Sequence, residues 1–202
     1  VKLLAILLCL AALPAAATQD AWPALYDVTD VAADDVLNIR QHPNANATIV
    51  GELAHDARNV ELIRPDDRHQ WALVNSDEGS GWVSLRYVRR LPGQWQGTMP
   101  QVTQCAGTEP FWSLEVEGDT ASYSAMDAQT QDFAIVATGP AQGRRDSFHL
   151  IAEGQDSLAV GALSVQACSD GMSNRAYGLK IELLIRGEST WQHVSGCCSL
   201  SP

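Results

Sequence analysis

Leu179-Lys180-Ile181-Glu182-Leu183-Leu184-Ile185-Arg186 has the residue types of a helix and the spacing of a strand. Leu179, Ile181, Leu183 and Ile185 recur at every second position, and Gly187 ends the run. Apolar side chains at period two line one face of a pleated strand, whereas a helix would scatter them around its axis. The stretch is therefore read as a strand, and its neighbours read the same way. Trp112, Leu114 and Val116 alternate with Ser113, Glu115 and Glu117, Gly118-Asp119 makes a turn, and residues 121–125 return as the second arm of a hairpin. Residues 133–137 and 148–152 flank a loop carrying Arg144 and Arg145. About six to eight such strands predict a meander closed into a small barrel or sandwich over residues 101–202.

The first half is also β in pattern. Short apolar runs at 36–40, 47–53, 59–63, 71–74 and 82–88 are separated by turn chemistry: His42-Pro43-Asn44-Ala45-Asn46, Arg64-Pro65-Asp66-Asp67 and Asp77-Glu78-Gly79-Ser80-Gly81. Strands spaced by such turns indicate a small β-barrel rather than a βαβ unit. Leu37 and Ile39 are expected to face inward, and Gly51 to sit where the barrel bends sharply. Pro92-Gly93-Gln94-Trp95-Gln96-Gly97-Thr98-Met99-Pro100 is bracketed by prolines and reads as a linker. The expected organisation is all-β: a module over 25–91, a linker over 92–100 and a Cys-rich β domain over 101–202.

Leu37-Asn38-Ile39-Arg40, Ile49-Val50-Gly51-Glu52-Leu53, Val60-Glu61-Leu62, Trp71-Ala72-Leu73-Val74 and Gly81-Trp82-Val83-Ser84-Leu85-Arg86-Tyr87-Val88 follow one another in this order. That succession resembles the bacterial SH3 module, and every block of its pattern is present. The resemblance implies a small β-barrel that recruits its protein to peptidoglycan or to a peptide. Tyr26, Trp71, Trp82 and Tyr87 are then the candidate contacts, because aromatic rims serve flat sugars and peptides. Further on, Cys105-Ala106-Gly107-Thr108-Glu109-Pro110-Phe111-Trp112, Cys168-Ser169-Asp170-Gly171-Met172-Ser173-Asn174-Arg175-Ala176-Tyr177-Gly178 and Gly196-Cys197-Cys198 resemble the motifs of exported bacterial proteins that pair an SH3-like module with a Cys-rich β domain. This second resemblance implies an architecture and no particular activity.

The amino terminus points to export. Lys2 precedes an apolar run from Leu3 to Leu13, and Pro14 and the small residues Ala15, Ala16 and Ala17 follow. These are the parts of a signal peptide over residues 1–17, with a run shorter than the roughly 20 residues that span a bilayer. Cys9 lies inside the apolar run after Leu7-Leu8, a poor setting for lipidation. Removing the segment leaves four of the five cysteines, Cys105, Cys168, Cys197 and Cys198. An even set in an exported chain reads as a disulfide framework. Adjacent Cα atoms lie about 3.8 Å apart, below the usual disulfide range, so a Cys197–Cys198 bond is not expected. Two connectivities remain. Cys168–Cys197 with Cys105–Cys198 is preferred because the first bond closes a local segment.

Charge and motifs then narrow the function classes. With 13 Lys+Arg against 24 Asp+Glu the formal net charge is -11, which repels phosphate backbones and makes nucleic acid an improbable partner. No nucleophile elbow, zinc-protease helix, P-loop or dinucleotide fingerprint occurs, and no cofactor or metal is expected. A zinc or redox role for the cysteines competes poorly with disulfides, since no C-x-x-C pair is present. Glu109, Trp112, Asp170 and Arg175 form the remaining candidate cluster, with a loop-fixing ion pair from Arg175 to Asp170 or Glu109 as the simplest role. The expectation is a non-enzymatic binding protein of the periplasm or medium, without a transmembrane anchor, whose partner is peptidoglycan or an envelope protein. The alternatives are a cell-wall hydrolase targeted by its SH3-like module, and an envelope inhibitor or stress protein.

Overall fold

The computed structural model describes residues 19–201 apart from 78, 127, 188 and 189. The signal-peptide segment, 1–17, lies outside the described residues. Within them the chain is all-β, with a single 3₁₀ turn at Leu85–Tyr87.

The first eight strands are β1 (Ala24–Val28), β2 (Val36–Arg40), β3 (Ile49–Ala54), β4 (Val60–Leu62), β5 (Arg64–Pro65), β6 (Trp71–Ser76), β7 (Gly79–Ser84) and β8 (Val88–Arg90). They make two small sheets, ordered β4-β1-β8 and β3-β2-β7-β6-β5. Leu37 and Ile39 of β2 point into the core between the sheets, joined by Tyr26, Leu62, Val74 and Val83. Opposite Ile39 and Arg40 the register of β3 shifts, so Val50 is the extra residue of a bulge and bends the strand. Gly51 lies beside it, and a Cβ there would collide with the Ser76 side chain. Several features differ from the sequence reading: Arg64-Pro65 and Gly79-Ser80-Gly81, read as turns, are strand residues of β5 and β7. β1 is a strand, although four of its five residues are buried and show no alternation. The run 82–88 is broken by the 3₁₀ turn, capped by the Ser84 hydroxyl accepting from Arg86 N–H.

The second half forms β9 (Gln104–Thr108), β10 (Phe111–Glu117), β11 (Thr120–Ala125), β12 (Gln131–Pro140), β13 (Ser147–Glu153), β14 (Leu158–Cys168), β15 (Tyr177–Arg186) and β16 (Trp191–Ser199). Each pairs antiparallel with the next, and β16 pairs with β9 to close an eight-stranded barrel. Closure leaves this half without a sheet edge. Leu179, Ile181, Leu183 and Ile185 all face the interior at 2% exposure or less, as their spacing requires. Trp112, Tyr123, Phe133 and Phe148 fill the remainder of that core.

Both preferred disulfides are present. Cys105 and Cys198 sit opposite each other on β9 and β16 inside the barrel, with Cα atoms 3.9 Å apart. Cys168–Cys197 spans 5.6 Å between Cα atoms and staples the end of β14 to the outer face of β16. A bonded pair as close as Cys105–Cys198 shows that short distance alone does not exclude Cys197–Cys198. The alternation of strand faces separates the two, sending one thiol inward and the other outward. The burial difference predicts an order of reduction. Cys105 and Cys198 are 1% and 0% exposed, whereas Cys168 is half-buried, so brief treatment with a thiol reductant followed by alkylation should label Cys168 and Cys197 first. Mass spectrometry showing Cys105 and Cys198 labelled first would contradict this.

Candidate functional site

A cleft of about 620 Å³ opens on the N-terminal sheets. Its floor is the outward row of β2, Val36, Asn38 and Arg40, and its walls carry Trp71, Tyr87, Arg86, Asp30 and Asp35. Local chemistry fixes each wall. Trp71 starts β6, and the Asp66 carboxylate accepts both Gln70 N–H (2.7 Å) and Trp71 N–H (2.8 Å), setting where the strand begins. Burial opposes ionisation of Asp66, but its backbone hydrogen bonds outweigh it and hold the carboxyl below the usual range. Leu85 N–H donates to Gln70 O at 2.9 Å, tying the turn that carries Tyr87 to the Trp71 hairpin. Thr29 N–H donates to Tyr87 O at 2.9 Å, bringing the Asp30 loop to the same edge. Arg40 donates to Ala47 O at 2.8 Å and so holds the loop between β2 and β3 at the cleft mouth.

The cleft combines two half-buried aromatic rings with charges of both signs. Arg86 lies over the Tyr87 ring, 5.5 Å from its centroid. Among the described residues, no ion pair engages Asp30, Asp35, Arg40 or Arg86. Four charged groups thus border an open aromatic cleft with hydrogen-bonding capacity to spare.

The other aromatic candidates of this half lie elsewhere. Tyr26 is buried in the core, stacked on Trp22 with centroids 5.6 Å apart, and its hydroxyl accepts from Arg90 at 2.7 Å. Burial pushes its phenol up despite the neighbouring guanidinium. Trp82 is outside the cleft, with the Arg64 guanidinium 5.0 Å from its ring centroid.

The candidates of the second half divide in the same way. Trp112 is a core residue, stacked on Tyr123, and its indole N–H donates to Ser195 O at 3.3 Å. Glu109 is exposed in the loop between β9 and β10. Asp170 and Arg175 do meet, lining a pocket of about 250 Å³ with Thr108, Tyr177, Gln104 and Ser199. The expected ion pair is not what holds this loop: among the described residues neither Asp170 nor Glu109 pairs with Arg175. Asp170 instead accepts Met172 N–H and Ser173 N–H, both at 3.0 Å, and the Ser173 hydroxyl at 2.7 Å, with the Tyr177 hydroxyl at 3.4 Å. Burial alone would raise this carboxyl, yet these bonds together hold it below its usual range. The Thr108 hydroxyl donates to Asp170 O at 2.7 Å, which pins the β14–β15 hairpin across the barrel wall.

Residues not singled out in the sequence complete both regions. Asp30, Asp35, Arg40 and Arg86 carry the charge of the cleft, and only their places beside loops and strand ends hint at it. Gln94, in the expected linker, accepts Leu25 N–H at 2.6 Å and donates to Leu25 O at 2.9 Å, so the segment is tied to β1. Comparison with protein-family models, with curated proteins and with solved structures finds no significant match to this chain. The site therefore stands on its own geometry. The disulfides fit an oxidising compartment, and no helix among the described residues is long and apolar enough to cross a membrane.

Proposed function

We propose that this is an exported envelope protein that binds an extended peptide or peptidoglycan strand in the cleft between Trp71 and Tyr87. The carrying observation is the juxtaposition of two half-buried rings with four charged groups, two acidic and two basic, that make no ion pair among the described residues. Rings give a ligand flat apolar contact at low entropic cost, while charges of opposite sign fix its direction. The stem peptides of peptidoglycan offer both an ammonium and carboxylates, which suits a cleft bordered by the acidic Asp30 and Asp35 and the basic Arg40 and Arg86. The order of sequence blocks that resembles the bacterial SH3 module supports the same reading, as does the amino-terminal pattern of a signal peptide. In this reading the protein acts by binding and not by turnover, in the periplasm or medium, and the barrel is the disulfide-stabilised body against which the cleft-bearing sheets are docked.

Co-sedimentation of the mature chain with purified sacculi tests this. The wild type is expected in the pellet, and Trp71→Ala and Tyr87→Ala should each weaken retention by roughly ten- to thirtyfold, the scale of an aromatic anchor in an interface. Retention unaffected by both substitutions, or wild type left in the supernatant, would remove the wall-binding reading. Solubilisation of the sacculi by the wild type would favour the hydrolase alternative instead.

A further inference from the structure

We propose that the contact between the cleft-bearing sheets and the barrel is a joint that tightens on acidification, with the Glu61 side chain as its proton-binding element. The joint combines apolar packing, with Leu25 of β1 against the barrel core, and a set of specific polar contacts. Asn75 at the end of β6 pairs with the Ala176 backbone in both directions, donating to its carbonyl and accepting from its N–H, each at 2.9 Å. Gly178 of β15 lets Pro23 and Ile63 O approach; a Cβ there would lie 2.8 Å from Pro23 Cδ. Beside them Glu61 of β4 reaches out of its own sheet to the chain after β16, accepting Leu200 N–H at 3.0 Å and the N–H of Ser201. Backbone groups that leave a barrel strand are thus satisfied by a side chain from the other half.

The surroundings of Glu61 decide the sign of its response. From the β14–β15 hairpin Arg175 and Tyr177 face it, and Asp170 stands behind Tyr177, holding its hydroxyl. The chain at 199–201 brings backbone N–H groups and no titratable side chain. On its own sheet Glu61 lies opposite Leu25, while Asp27 on β1 is paired with Arg58 and Arg89. Burial is the dominant influence, outweighing both backbone bonds and Arg175, and pushes the carboxyl from 4.5 up to about 7. In an undocked state Glu61 regains water and its ordinary value. The docked state therefore binds the proton more tightly. Docking is strongest below about pH 4.5 and weakens as pH rises through about 7, where the ionised carboxylate must stay buried. A protein outside the cytoplasm meets the pH of its surroundings directly, so the joint would couple that pH to the relative position of cleft and barrel.

Amide hydrogen exchange on the full mature chain reads the joint through Ala176, whose N–H crosses it without touching Glu61. After correction for intrinsic exchange, Ala176 protection is expected to rise on the order of tenfold between pH 8 and pH 5.5 in the wild type. It should change little in Glu61→Gln, which keeps an acceptor and removes the proton. Leu183, deep in the barrel, controls for global opening. An equal rise in Glu61→Gln, or none in the wild type, overturns the proposal. Should the variant not fold, the wild-type Glu61 carboxyl resonance decides alone: a midpoint near 7 with the Ala176 amide following supports the joint, and a midpoint near 4.5 contradicts it. Either result leaves the sacculus assay to be judged separately.

Discussion

Trp112→Ala is expected to lower the unfolding free energy by about 3–5 kcal/mol, the range for removing a large aromatic side chain from a packed core. The ring is 4% exposed and lies opposite Gly107 on β9, with its N–H bonded to Ser195 O on β16. It therefore touches both strands that close the barrel. Two glycines make room for it. A Cβ at Gly107 would collide with the indole nitrogen, and one at Gly196 would lie 2.6 Å from its Cζ2 and 2.7 Å from the Ala106 carbonyl carbon. Gly196→Ala should accordingly destabilise too, through overpacking rather than a cavity, by about 1–3 kcal/mol. Trp112→Phe should fall between wild type and Trp112→Ala, since it restores apolar volume but leaves Ser195 O without its donor. Urea denaturation checks the series. A loss under about 1 kcal/mol for Trp112→Ala would mean that the ring does not anchor the packing of the barrel seam.

The second large effect concerns the disulfides. Removing Cys105–Cys198, which spans 93 residues of sequence, should cost about 4–5 kcal/mol on a chain-entropy argument, and removing Cys168–Cys197, which spans 29, about 3–4 kcal/mol. The roles differ beyond loop length. Cys105–Cys198 links the first and last strands of the barrel across the seam where it closes, so its loss frees the ladder that lacks a hairpin connection. Cys168–Cys197 fastens a hairpin to the outer wall, where Thr108 and the Asp170 loop add further ties. Paired alanine substitutions, compared by chemical denaturation under non-reducing conditions, should give the larger loss for the inner bond. The reverse order would contradict the seam argument.

Much of this fold is legible in the residues because burial on one face leaves period two in the sequence. Leu179–Ile185 and Trp112–Val116 could be read directly, and so could the division of Cys197 from Cys198 by strand face. β1 escaped for the opposite reason: it is buried on both sides between β4 and β8, so Ala24, Tyr26, Asp27 and Val28 show no alternation. β14 escaped because small residues such as Ala159, Gly161 and Ala162 serve both faces, leaving little contrast in polarity. The site was legible only in part. An aromatic residue in a small barrel can face the core or the rim, and sequence does not say which; Trp71 and Tyr87 share the cleft, while Tyr26 went inward and Trp82 to another surface. Asp170 and Arg175 were brought together without bonding, because the turn 170–173 satisfied the carboxylate locally with its own N–H groups. Glu61 and Asn75 could not have been found at all by local reading, since their partners lie 139 and 101 residues away.

The proposed binding role rests on the Trp71–Tyr87 cleft, and a nuclear magnetic resonance titration of residues 18–202 with soluble peptidoglycan fragments probes that cleft residue by residue. Amide shifts are expected to cluster at Asp30, Asp35, Asn38, Trp71 and Arg86-Tyr87, together with the Trp71 indole signal, while the barrel core at Leu179–Ile185 stays still. Shifts confined to the barrel wall, or none at saturating fragment, would contradict it.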